Sequence, residues 1–239
     1  MRGAKLWNRN TYPMKTKLSY LFILLCALIN GQGKSVMNDL QFSNYSWNPK
    51  TITEIITFSP ENISKNISYY DREGFLTKIE YYNAIGTGSS NERSLNKIIS
   101  YNSKDKAKRH FEAINPGNKK IETTGSFEKI SDSLYKRVSH NSVHSISLSK
   151  LFYFDKNNRL IKTEETGNFF ETPVNNVILY TYINGVKSET LLEDLTSDKK
   201  SKLIYKNVKL DLHANPVYEE LVDDQGTMQQ KTERIFEYY

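Results

Sequence analysis

Cysteine is nearly absent from this sequence: 239 residues contain one, Cys26. A single thiol excludes a disulfide framework and any zinc or iron–sulfur site built from thiolates. Proline and glycine are also few, at 6 and 11, so collagen-like and low-complexity architectures do not apply. The longest mostly apolar run, Leu18–Ile29, has twelve residues, short of the roughly 20 that a helical membrane span needs. Acid is missing from one place only. Residues 1–31 hold Arg2, Lys5, Arg9, Lys15 and Lys17 and no Asp or Glu, which leaves 28 basic against 27 acidic side chains in the remainder. The net charge of +6 is thus almost entirely N-terminal. A nucleic-acid-binding surface, which keeps its cationic surplus on the folded domain, is not expected.

That N-terminal pattern has a ready explanation. Met14-Lys15-Thr16-Lys17 precedes the apolar run, and Asn30-Gly31-Gln32-Gly33 follows it. A cationic segment, an apolar core and a small-residue zone form a secretory signal peptide. Cleavage is expected before Gln32, and translation is expected to start at Met14 as readily as at Met1. Lipid anchoring through Cys26 is disfavoured, because Leu24-Leu25 stand where a lipoprotein signal needs a small residue. Residues 32–48 are polar and are expected to be a mobile lead-in or an irregular first strand; residues 49–239 are expected to be one domain.

What is plentiful is tyrosine, with 16, and a recurring segment. Tyr70-Asp71-Arg72-Glu73-Gly74-Phe75-Leu76-Thr77-Lys78 aligns without gaps to Phe154-Asp155-Lys156-Asn157-Asn158-Arg159-Leu160-Ile161-Lys162. Tyr101–Lys108 and Val222–Met228 look like further copies. The spacing fits a three-residue hairpin loop, a type I turn followed by a left-handed residue. Gly74, Asn158, Asp105 and Gly226 would take the left-handed position; Asp71, Asn102, Asp155 and Asp223 would accept the turn's own amides. Tyr70 should then face Leu76, Phe154 face Leu160, Tyr101 face Ala107 and Val222 face Met228. Asn184-Gly185 marks a two-residue hairpin. Asp211-Leu212-His213-Ala214 starts similarly, but Ala214 is a poor left-handed residue and Pro216 would enter the returning strand. Lys104–Ile114 fits both periods, and strand is favoured; Lys187–Lys199 is the other stretch open to helix. Ala84–Asn96, with Gly86-Thr87-Gly88, reads as a flexible excursion.

These segments resemble the YD (RHS-type) repeat: Tyr/Phe-Asp-x-x-Gly-x-Leu-x-Lys, followed by an alternating strand such as Ile79-Glu80-Tyr81-Tyr82. The ending Asn207–Tyr239 is similar to that of short secreted bacterial proteins with such repeats. The resemblance covers 70–78, 101–108, 154–162 and 208–239. It implies repeated hairpins, and it brings no catalytic residues. In large members the repeats enclose cargo in a spiralling sheet, for which this chain is too short.

The expected fold is therefore all-β: an antiparallel meander of about 10–14 strands in a twisted, curled sheet, open or barrel-like. Catalytic chemistry finds little purchase. His140 and His144 would share a strand face, but no pattern supplies further metal ligands. No Gly-x-Ser-x-Gly elbow occurs. The acid pairs Glu164-Glu165, Glu219-Glu220 and Asp223-Asp224 are sequence neighbours, whose side chains point to opposite faces on a strand. No catalytic, cofactor or metal residues are assigned. The expected function is an exported, non-catalytic binding or structural protein whose partner is an envelope glycan, lipid or protein. A lipid- or glycan-binding curled sheet is the alternative, and an envelope polysaccharide hydrolase the third.

Overall fold

The computed structural model describes residues 36–82, 94–102 and 104–239. The signal peptide, Cys26, the start-site question and most of the glycine-containing excursion at 84–96 lie outside the described residues.

Fourteen strands follow one another as an antiparallel meander: β1 (Pro49–Ser59), β2 (Asn62–Tyr70), β3 (Leu76–Tyr82), β4 (Leu95–Asn102), β5 (Lys108–Asn115), β6 (Lys120–Ser131), β7 (Leu134–Asn141), β8 (Ile146–Phe154), β9 (Leu160–Phe169), β10 (Thr172–Ile183), β11 (Val186–Asp194), β12 (Lys199–Leu210), β13 (Pro216–Asp223) and β14 (Met228–Tyr238). The sheet closes, because β14 pairs with β1 in a register that sets Arg234 opposite Glu54 and Phe236 opposite Ile52. Closure removes both free edges, which an open sheet would have to protect. Both segments that left room for helix are strands. On β5 the alternation places Arg109, Phe111 and Ala113 inside, between outward Lys108, His110 and Glu112.

The repeated turns form as the spacing predicts at Asp71, Asp155 and Asp223. In each, the Asp Oδ1 accepts the backbone N–H groups two and four residues on: Glu73 and Phe75, Asn157 and Arg159, Gln225 and Thr227. Gly74, Asn158 and Gly226 take the left-handed position. Tyr70 faces Leu76, Phe154 faces Leu160 and Val222 faces Met228. Asn184 and Gly185, at φ +51° and +81°, close the two-residue hairpin. Asp211 builds the same turn with Ala214 at φ +62°, so the expected obstacle is overcome by Asp211 Oδ1, which accepts from His213 and Asn215. Pro216 fits because it opens its strand, where a missing N–H costs least.

Asn102 is the exception. Tyr101 faces Phe111 rather than Ala107, and Asn102 faces His110. Asp105 is not left-handed, and its Oδ1 accepts from Ala107 N–H. The loop is longer because Lys106 is drawn outward to Asp71, 2.7 Å away, and over the Phe75 ring. The partner of Tyr101 moves by four residues, an even number, so the same face stays inward.

The lead-in expectation is corrected as well. Residues 36–48 enter the barrel, and Asp39–Phe42 form a single helical turn, α1, capped by Asn38 and Gln41 in a reciprocal box. Phe42 is fully buried among Phe127, Tyr135, Phe152 and Phe154. The turns at this end grip the segment. Leu40 N–H donates to Gly74 O, Asn44 Nδ2 to Gly185 O, and buried Asn215 exchanges two hydrogen bonds with the backbone of Ser46. A β-carbon on Gly74 would come within 2.6 Å of the Asn38 side chain, so this position needs glycine for space as well as for φ.

One consequence is measurable. Burial pushes the Asp155 carboxyl up, but the Arg159 N–H and guanidinium and the Asn157 N–H outweigh it, leaving it below its ordinary value. A depressed carboxyl contributes stability that is present above the unfolded value and lost as pH falls through the folded one. Asp155→Asn should cost about 1 kcal/mol at neutral pH. The loss should shrink as acid unfolding curves are collected from about pH 4 downward.

Candidate functional site

Strand alternation gives the barrel two different faces. Inside, the plugged end is aromatic, while polar and charged groups cross the lumen further along. Lys150 and Glu165 lie 3.5 Å apart, both buried. Burial pushes the Lys150 ammonium below its ordinary value, and Glu165 only partly opposes it. On the other wall Arg234 joins Glu54 and Glu219, each at 2.6 Å, and also donates to Pro216 O. Burial raises the Glu219 carboxyl, but the Arg234 charge and hydrogen bond, aided by Lys187, hold it below the usual range. Tyr182, pushed well above its ordinary range by burial and Asp155 against the opposing Arg159 charge, donates to Leu160 O.

Between the plug tail and β10–β14 lies a pocket of about 360 Å³. Tyr182, Lys187, Tyr205 and Leu221 line it, with Glu219, Gln230 and Arg234 as polar groups. Gln230 is 4% exposed; its Nε2 donates to Thr232 Oγ1, and its Oε1 has no partner. That oxygen is a fixed acceptor, Lys187 supplies a cation beside Tyr180 and Tyr205, and the arginine network shapes the floor. The arrangement suits recognition by hydrogen bonding and charge.

Outside, ion pairs and tyrosines stand among scattered exposed apolar residues such as Val138, Ile161, Leu179 and Ile235. The two best repeat copies share a device the turn pattern did not reveal. Lys78 lies over Tyr69 and pairs with Glu80, which accepts from Tyr69 OH. Lys162, Tyr153 and Glu164 repeat it. The signal was legible as Tyr two residues before the turn Asp and Lys-x-Glu after it. Further pairs join Lys202 to Glu189, Lys200 to Glu193 and Lys108 to Glu128.

Two of the three acid pairs behave as alternation requires, while Asp224 lies in the turn after β13. Glu165 and Glu219 point inward, while Glu164 and Glu220 bond to outer tyrosines. His140 and His144 do not share a face, because His144 sits in the turn after β7, against Phe170. Among the described residues no group of three His, Cys, Asp or Glu could hold a metal ion, and no helix is long and apolar enough to cross a membrane. Of the turn residues, Gly74 and Gly185 touch the plug; Asp71, Asn158 and Asn184 shape the same end; Asp223 and Gly226 lie at the opposite end.

No family model and no curated protein matches this chain. Several solved structures align with the chain. A porin-like protein from Bacteroides uniformis aligns over 80% of this chain and 99% of its own, with a TM-score of 0.50 at 8% identity. A porin-like protein from Bacteroides vulgatus aligns over 81% and 99%, with a TM-score of 0.48 at 11% identity. A putative outer membrane lipoprotein-sorting protein domain from Vibrio parahaemolyticus aligns over 78% and 83%, with a TM-score of 0.31 at 10% identity.

Proposed function

We propose that the chain is an exported, non-catalytic binding protein of the bacterial envelope, whose barrel works surrounded by water. The charged outer face carries this reading. A lysine or arginine on the lipid side of a barrel costs about 2–4 kcal/mol at the bilayer midplane. Here Lys78, Lys108, Lys162, Lys200 and Lys202 all stand on the outer wall in ion pairs. The porin-like name of the Bacteroides uniformis structure supports an envelope setting, whereas this outer face favours water on all sides. The leader-like segment at 14–31 supports export.

The alternatives fare less well. A lipid carrier needs a continuous apolar concave wall, and the Lys150–Glu165 and Arg234 groups interrupt it. A two-carboxylate glycosidase needs one carboxyl pushed above its ordinary value, whereas Arg234 outweighs burial and holds Glu219 below its own. The hairpins are, in our reading, copies of a YD-type repeat, and the two matching Tyr–Lys–Glu groups support that origin.

Expression of the full chain in a bacterium, with fractionation and N-terminal mass analysis, tests the proposal. The protein should leave with the soluble periplasmic or extracellular fraction, beginning at Gln32. Recovery as an integral membrane protein, or in the cytoplasm with residues 1–31 intact, would overturn it.

A further inference from the structure

The plugged end carries a second cavity, outside the lumen. A cleft of about 690 Å³ is lined by Trp47, Asn48, Arg72, His213, Tyr238 and Tyr239. Trp47 is 68% and Tyr239 58% exposed. Rings of this size ordinarily lose their apolar faces to the interior.

Their exposure is built. Trp47 is held at φ +66°, a left-handed backbone state that bulky residues rarely adopt. Its indole rests on His213 at a centroid distance of 4.2 Å, and His213 meets Tyr238 edge-on at 4.9 Å. Tyr238 donates to Asp211 and accepts from Asn215, so the stack stands on the repeated turn. Tyr239 OH donates to Tyr70 O at 2.6 Å, and Arg72 lies over the Tyr239 ring at 5.7 Å. Asn48 Nδ2 donates to Arg72 O at 3.1 Å, which joins the Trp47–Asn48 segment to the turn carrying Arg72. The cleft therefore offers two fixed, water-facing aromatic surfaces, a guanidinium and a side-chain amide, and none of its six lining residues has a carboxylate side chain.

We propose that this cleft binds a pyranose glycan. Sugar rings present axial C–H groups to aromatic faces and hydroxyls to planar amide and guanidinium groups, so this combination fits them. A lipid tail would not need the polar pair. The inference rests on the water-facing binding reading above and names the ligand class and the place.

The full chain carrying Trp7→Phe reports on Trp47 alone, since the sequence has only these two tryptophans. Titration with neutral oligosaccharides (cello-, laminari- and chitohexaose) and an acidic one (an alginate hexamer) should shift its emission in at least one arm. Trp47→Gly, which suits the left-handed backbone, should weaken that binding about tenfold by calorimetry without lowering the melting temperature. Trp47→Phe should retain most of it. No binding in any arm at millimolar sugar, or binding indifferent to Trp47→Gly, would overturn the glycan site. Fractionation would be unchanged in either case, so the two proposals fail separately.

Discussion

Replacing Asp39 with alanine should lower the unfolding free energy by about 3–5 kcal/mol. Asp39 has no exposed surface, and its carboxylate takes both Nη groups of Arg109 and the N–H of Leu76. Arg109 is itself 3% exposed and lies within about 5.5 Å of the Phe75, Tyr101 and Phe127 rings. Burial alone would lower its guanidinium, but the Asp39 charge and hydrogen bonds outweigh this and raise it. Losing Asp39 leaves a cation that can neither deprotonate nor reach water. The cost therefore comes from the abandoned partner more than from the lost attraction. Asp39→Ala combined with Arg109→Met should recover most of the stability, because a flexible apolar chain can fill the same space. Urea unfolding of the three variants separates these terms. An Asp39→Ala loss below about 1 kcal/mol would show that the pair does not hold the plug.

The other large effect is expected at Phe42. Its ring is fully buried and meets four aromatic rings edge-on, at centroid distances of 5.0 Å to Phe127, 4.7 Å to Tyr135, 6.0 Å to Phe152 and 4.7 Å to Phe154. Phe42→Ala removes the central ring of this layer and should cost about 3–5 kcal/mol. Phe42→Leu, which keeps most of the volume, should cost about 1–2 kcal/mol. Both residues belong to one helical turn, so their losses should not add. Once Asp39→Ala has loosened residues 36–48, Phe42→Ala should add less than it costs alone. Limited proteolysis supplies the second readout, with cleavage within 36–48 appearing before the barrel unfolds. Strict additivity, with no early cleavage, would mean that the segment unfolds only with the whole barrel.

The turns were the legible part of this molecule. Asp71-x-x-Gly74 and Asp155-x-x-Asn158 state their geometry locally: a short acceptor, two polar residues, then a residue tolerant of positive φ. Nothing distant is required, and those turns form as expected. Asn102 failed because its loop answers to Asp71 through Lys106, a contact 35 residues away. The segment at 36–48 was misread for a similar reason. Asn38, Asp39, Ser43, Asn44 and Ser46 look like a solvated lead-in until Arg109, Gly185 and Asn215 are brought to them.

The candidate cavities were less legible still. Inside and outside both mix apolar and charged residues, with Ile55 and Ile67 outward and Arg109, Lys150 and Glu165 inward. Alternation then reveals two faces without saying which is concave. Trp47, His213 and Tyr239 converge only because the first and last strands meet.

The strands and most of the reversals between them follow from local sequence, since side-chain alternation and left-handed turn residues act over a few neighbouring positions. Closure into a barrel, the choice of inner face, the plug and both cavities were decided by the tertiary structure. These depend on the register of β14 against β1, about 180 residues apart, and on how far the sheet curls, and no short window of sequence encodes either.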